Sequence, residues 1–159
     1  AFFLALDAQI QIEGSNGARR IFLKNFYKGY KQLDLAPGEL VTAVSFSLPP
    51  PGSRFNFEKV SKRRHLDIAS VNSAILVSVE NETIREVHLS AGGVNPVPTY
   101  LDKTCAWLRG RPLNAETLRA AAEFIQEEIN PISDVRGSAA YKRLLLRQLF
   151  FAHFIELFP

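Results

Sequence analysis

Chemically capable side chains concentrate in one short run, Glu58-Lys59-Val60-Ser61-Lys62-Arg63-Arg64-His65-Leu66-Asp67-Ile68-Ala69. Lys59, Lys62, Arg63, Arg64 and His65 fall within seven residues, where a strand gives way to a loop. Cationic side chains and backbone N–H groups so placed can meet a phosphate, a flavin carbonyl or a reduced-flavin anion. The same run also reads as a solvated basic loop that simply tolerates charge. A second run, Ala91-Gly92-Gly93-Val94-Asn95-Pro96, ends a strand ahead of a helix. Its glycine pair permits positive φ and close backbone approach, but it lacks the third glycine of a dinucleotide fingerprint. A tight strand-to-helix turn also accounts for it. A third run, Pro131 to Tyr141, puts Asp134 and Arg136 in a short loop before a helix cap. That pair reads as a local ion pair worth at most about 1 kcal/mol if exposed, and no partner base or nucleophile gives it a catalytic role. His65, His88 and His153 lack metal-ligand spacing. With Cys105 as the single cysteine, the sequence offers no ligand set for zinc or an iron–sulfur cluster. No Ser-His-Asp or Cys-His arrangement and no Walker loop can be read.

The elements that must position these runs are β first and helical last. Ala8 to Glu13 alternates with period two, Gly14-Ser15-Asn16-Gly17 is a turn, and Arg20 to Leu23 returns as a strand. A loop carrying Phe26, Tyr27, Gly29 and Tyr30 follows; after the Pro37-Gly38-Glu39 turn, Val41 to Leu48 alternates again. Pro49-Pro50-Pro51-Gly52 stops regular structure and marks a domain boundary. The middle third reads as a meander: Arg54 to Val60, a polar loop from Ser61 to Asp67, Ile68 to Val79, a turn at 80–83, and Ile84 to Ala91. In the last third, Pro98 suits the first position of a helix carrying Leu101, Cys105 and Leu108. Asn114 caps a helix running to about Asn130, and Ser138 caps a final helix, apolar over most of its circumference and expected to be buried on several sides. Strands followed by a block of helices predict α+β rather than parallel α/β.

Composition excludes several function classes. Lys+Arg exceed Asp+Glu by 19 − 16 = 3, too small an excess to argue for nucleic acid, and aromatics do not interleave with the basic run as a single-strand platform requires. The longest apolar stretch, Leu144 to Phe158, is interrupted by Arg147, Gln148, His153 and Glu156, so no bilayer partner is expected. A single cysteine, read as a small core hydrophobe beside Trp107, suits a reducing, cytoplasmic compartment. The absence of methionine and the apolar start suggest a piece of a longer polypeptide.

At these same segments the sequence resembles the flavoprotein component of the xanthine dehydrogenase and carbon monoxide dehydrogenase family. The likeness runs through Leu4 to Ala8, Asn25 to Tyr30, Leu35 to Val41 around the PGE turn, Lys59 to Ala69, Gly92 to Pro98, and Pro131 to Tyr141. Six motifs in the correct order carry it, and the double-Arg loop points to the xanthine dehydrogenase branch. The resemblance implies an α+β fold: an antiparallel sheet of three to four strands covered by three helices, as in the CO dehydrogenase flavoprotein C-terminal domain, over residues 54–159. Before it comes the β-rich tail of a PCMH-type FAD-binding domain, residues 1–50. Tyr100 and Lys142 depart from the family pattern.

The resemblance also implies a role: relaying electrons from a molybdenum centre through iron–sulfur clusters to FAD and on to NAD, as in purine catabolism by xanthine dehydrogenase. FAD is the implied cofactor, with molybdopterin and the clusters in partner domains or subunits. By position it assigns Leu40 or Val41 to the flavin ring, Lys59 to the flavin's polar edge, and Arg63, Arg64 and Asp67 to a loop governing acceptor access. Phosphate-binding loops are expected upstream, so the isolated chain is expected to bind FAD poorly and to be inactive. An alternative is a non-catalytic subunit-docking module that uses the basic loop and the apolar C-terminal helix.

Overall fold

The computed structural model describes residues 1–63 and 68–159. The chain opens with one helical turn, α1 (Phe2–Ala5), where the sequence suggested only β structure. Strands β1 (Gln9–Gly14), β2 (Gly17–Phe22) and β5 (Leu40–Ser45) form an antiparallel sheet in the order β2-β1-β5. Between β2 and β5, where a loop was expected, the chain makes a 3₁₀ turn (Leu23–Asn25) and a small hairpin of β3 (Tyr27–Gly29) and β4 (Gln32–Leu33). Phe26 of this segment is buried on Ile10 and Ile12, so packing, not local alternation, folds it back.

The second lobe is a four-stranded antiparallel sheet in the order β6-β7-β8-β9: β6 (Arg54–Val60), β7 (Val71–Glu80), β8 (Thr83–Gly92) and β9 (Thr99–Tyr100). Its turn residues Asn81 and Glu82 both have positive φ, as a tight hairpin that follows strand twist demands. Three helices follow: α2 (Asp102–Leu108), α3 (Ala115–Glu128) and α4 (Ala139–Leu157). Asn114 Oδ1 accepts from Thr117 N at 2.8 Å and Ser138 Oγ from Tyr141 N at 3.2 Å, as the cap residues require.

Pro98 does not open a helix. Thr99 and Tyr100 pair with Ala91 and Ser90 as an edge strand, and α2 starts at Asp102. Its free N–H groups find a carboxylate from another helix: Glu128 accepts from Lys103 N at 2.9 Å and Thr104 N at 2.7 Å. That satisfies donors a local cap would otherwise serve.

Alternation in the sheet sets the core. Cross-strand partners share a face, so Val71, Ser73, Ile75 and Val77 align with Ala91, Leu89 and Val87 on one side. These residues are fully buried with Leu101, Cys105, Leu108, Ala121, Ile125, Leu146 and Phe150 from the helices. The final helix buries this side, whereas Tyr141, Leu144 and Ile155 on its outer side stay exposed. Burial pushes the Cys105 thiol up to about 11, which leaves it an unreactive core group. Among the described residues no helix is long and apolar enough to cross a membrane, and no group of three His, Cys, Asp or Glu side chains is placed to hold a metal ion.

His153 on α4 is fully buried. Its Nδ1 accepts from Asn56 Nδ2 at 3.1 Å, so Nε2–H donates to Ser73 Oγ at 3.0 Å, and Ser73 donates on to Ser90 O at 3.0 Å. Burial lowers its pKa from 6.5 to about 4, so the unfolded chain takes up the proton first. Stability is therefore complete above pH 6.5, falls as pH drops from 6.5 towards 4, and levels off below that, by up to ~3 kcal/mol in all. Urea midpoints at pH 7 and 4.5 should show this loss in the parent and a flatter dependence in His153→Gln. Gly93 has φ +84, and a methyl there would sit inside the Ser70 carbonyl oxygen. Gly93→Ala should cost about 2–4 kcal/mol in denaturant titrations. Gly110→Ala, at φ +77 but facing open space, should cost about 1 kcal/mol.

Candidate functional site

The opposite face of the four-stranded sheet points at the first lobe. It carries Phe55, Phe57 and Lys59 from β6, then Leu76, Ala74 and Asn72 from β7, then His88, Ser90 and Gly92 from β8. Only part of it is covered by α1, which is tied down by Ser90 Oγ donating to Ala1 O at 2.8 Å. Lys59 is exposed at the far end. Its cross-strand neighbour is Asn72, whose amide lies over Gly92, 2.9 Å from where a Cβ would stand. The glycine thus clears space for a polar amide beside Lys59. Asn72 escaped the sequence reading because only strand register makes it Lys59's neighbour.

Leu40 and Val41 begin β5, and adjacent strand residues face opposite ways. Val41 pairs with Ile12 and Val44 with Ile10, with Thr42 as an extra bulged residue between their registers. Val41 and Val44 therefore share the face on which Ile10 and Ile12 are buried, while Leu40, opposite Glu13, is on the other side. The fold thus separates the two residues that the motif left as alternatives. Both are exposed.

An aromatic strip joins the two lobes. Phe46, two residues beyond Val44, lies 6.2 Å from Phe3; Phe3 lies 5.4 Å from Phe2; Phe2 lies 4.8 Å from Phe55 and 6.2 Å from Phe57. Val41, Val44, Phe46, Phe3, Phe2 and Phe57 are each more than a third exposed. One open aromatic strip thus runs from Phe46, just beyond β5, to Phe57, with Lys59 two residues further along the same strand face. Neither Leu40, Val41 nor Lys59 lines the larger clefts. One cleft, of about 520 Å³ and between the lobes, is lined by Asp7, Arg20, Phe46, Glu86 and His88. The other, of about 510 Å³, is lined by Tyr30, Ser70, Asn95, Ile132 and Arg136.

Charge braces the turn before Val41. Glu39 accepts from Arg19 Nε at 2.9 Å, Arg19 Nη2 at 2.8 Å and Ala36 N at 2.7 Å. The Arg19 fork holds the Glu39 carboxyl down to about 2. The sequence marked the PGE turn but not its partner twenty residues earlier.

Lys62 and Arg63 are exposed at the head of the basic run; Arg64 and Asp67 lie outside the described residues. The two departures from the family pattern are internal. Tyr100 is buried, and its hydroxyl meets His88 Nδ1 at 2.8 Å under Lys24, which is 4.9 Å from the ring centre. Lys142 is 3% exposed and pairs with Asp134 at 2.9 Å.

Residues 57–157 match the family described as CO dehydrogenase flavoprotein C-terminal domain, and residues 1–50 match the FAD binding domain in molybdopterin dehydrogenase. The glyceraldehyde dehydrogenase medium chain of Sulfolobus acidocaldarius is 30% identical over 96% of this chain and 53% of its own length. The xanthine dehydrogenase/oxidase of Gallus gallus is 28% identical over 96% of this chain and 12% of its own. Reconstituted CO dehydrogenase from Oligotropha carboxidovorans has the same fold, with a TM-score of 0.91 at 24% identity, covering 98% of this chain and 54% of that one. The chain spans about half the length of the curated medium chain it matches.

FAD is the cofactor these matches specify, and the described residues fit one end of it. An open apolar strip ending in a cation and an amide suits a flat ring with one polar edge. The Gly92-Gly93 pair is not a phosphate cradle: Gly93 packs on the Ser70 carbonyl, and Gly92 makes room for Asn72. With the larger match taking in well over half of its length, the chain belongs to the CO dehydrogenase flavoprotein C-terminal domain family, and a stretch of the molybdopterin-dehydrogenase FAD-binding domain precedes that domain.

Proposed function

We propose that this chain is the acceptor-side half of the FAD-containing electron-transfer component of a xanthine dehydrogenase-type molybdenum hydroxylase. Residues 1–50 are the end of the FAD-binding domain, and residues 54–159 are the C-terminal domain that closes on the flavin. In the whole enzyme, reducing equivalents from a molybdenum centre pass through iron–sulfur clusters to FAD and then to NAD; clusters and molybdopterin belong to other domains or subunits.

Bound FAD supplies the redox chemistry, because it exchanges electrons singly or in pairs. The residues of this chain supply position and electrostatics. Either Val41, on the face shared with Ile10 and Ile12, or Leu40, on the face beside Glu13, offers apolar contact to the ring; both are exposed. Lys59 places a cation at the ring's polar edge, where negative charge on the reduced flavin is stabilised. Arg63, Arg64 and Asp67 flank the approach of the acceptor. The observation that carries this reading is the open aromatic strip from Phe46 through Phe3, Phe2 and Phe57, ending at Lys59. Exposed apolar strips of this extent mark binding surfaces. Likeness to the Gallus gallus xanthine dehydrogenase/oxidase supports the choice of branch.

In the full-length enzyme, Lys59→Ala should lower kcat/KM for NAD about tenfold, equivalent to about 1.4 kcal/mol. Turnover with a dye that takes electrons before the flavin should change less than about twofold. Steady-state kinetics with both acceptors checks this, and equal losses would overturn the assignment of Lys59.

A further inference from the structure

The basic run is gripped at both ends by a turn in another part of the chain. Lys62 Nζ donates to Val135 O at 2.7 Å, and Ser70 Oγ, nearly fully buried, donates to Arg136 O at 2.8 Å. These carbonyls are adjacent in the turn Asp134–Gly137, which closes through Asp134 N to Gly137 O at 3.0 Å and Gly137 N to Asp134 O at 3.1 Å. The turn is braced from inside. Asp134 Oδ1 accepts from Arg136 N at 2.8 Å; Asp134 Oδ2 meets Lys142 Nζ at 2.9 Å, and that ammonium also donates to Ile132 O at 2.9 Å. Lys142 sits in the first turn of α4 and is almost completely buried. Its charge leaves water only because a carboxylate and a carbonyl receive it, so the turn's place relative to α4 is tightly specified.

We propose that the Asp134–Lys142 pair is a positioning device for the acceptor end of the flavin site. It fixes two backbone carbonyls, and these hold the stems on either side of the acceptor-access residues. Neither side chain touches cofactor or acceptor; both act through Val135 O and Arg136 O. Lys62 and Ser70 are the receiving groups. The inference rests on the reading that the basic run borders the flavin.

The test uses the full-length flavoprotein with three variants. Asp134→Asn should remove the charge pair, Ser70→Ala should remove one grip without touching that pair, and Lys142→Arg should keep the pair. In the first two, KM for NAD should rise about fivefold with kcat in the dye assay within about twofold of the parent. Tryptic cleavage after Lys62 and Arg63 should quicken about tenfold, as local opening becomes easier. Lys142→Arg should stay near the parent in both readouts. A lower melting temperature with unchanged KM and unchanged cleavage would show a merely structural pair and overturn the proposal. If Lys59→Ala leaves NAD turnover unaltered, the flavin-side reading falls. The grip is then judged by cleavage alone: faster cleavage in Asp134→Asn and Ser70→Ala sustains it, and an unchanged rate refutes it.

Discussion

Strand alternation in β6–β8 is the constraint on which the remaining structure depends. Each strand sends every second side chain to one face, and the helix-facing Val71, Ser73, Ile75, Val77, Val87, Leu89 and Ala91 of β7 and β8 are without measurable exposure. That face, filled by α2, α3 and α4, leaves the chain no freedom over the other. Phe55, Phe57, Lys59 and Asn72 must then point at the first lobe. A slip of one residue in β6 would bury Lys59 against α4 and expose Asn56, the partner of His153. The placement of the cation and the satisfaction of the core histidine are therefore one decision.

The junction of the lobes uses the same economy. One helical turn, α1, inserts Phe2 and Phe3 between the aromatic residues of β6 and Phe46, and a serine from β8 fastens it. Tyr100 on the sheet edge sits under Lys24 of the first lobe and hydrogen-bonds His88. These contacts order the two sheets relative to one another while much of the aromatic surface stays open. An open apolar surface bounded by Lys59 and Asn72 is suited to contact with a flat ring system.

Carboxylates organise the loops around this surface. Glu39 gathers Arg19 and the Ala36 N–H, and Glu128 gathers the free N–H groups of α2. Asp134 gathers Lys142 and the Arg136 N–H. In each case a carboxylate meets backbone donors at a turn or helix start, where a charge-assisted hydrogen bond contributes more than a neutral one. Each one also sets the position of a motif: the PGE turn before Val41, the start of α2 beyond the edge strand, and the turn that grips the basic run.

By itself the sequence determined whatever repeats with a local period. The β6–β8 meander, the caps at Asn114 and Ser138, the α+β order and the family motifs all follow from alternation, turn chemistry and short-range hydrogen bonds. It also marked Leu40, Val41 and Lys59 as candidates, since motifs are local. Only the tertiary structure decided that Leu40 and Val41 part to opposite faces, that Asn72 stands beside Lys59, and that residues 98–101 join the sheet edge rather than a helix. The same holds for Arg19 with Glu39, Glu128 with α2, and Lys142 with Asp134. The physical reason is common to these cases: each is a pairing across the chain, set by strand register or by a buried charge seeking a partner, and neither leaves a period in the sequence.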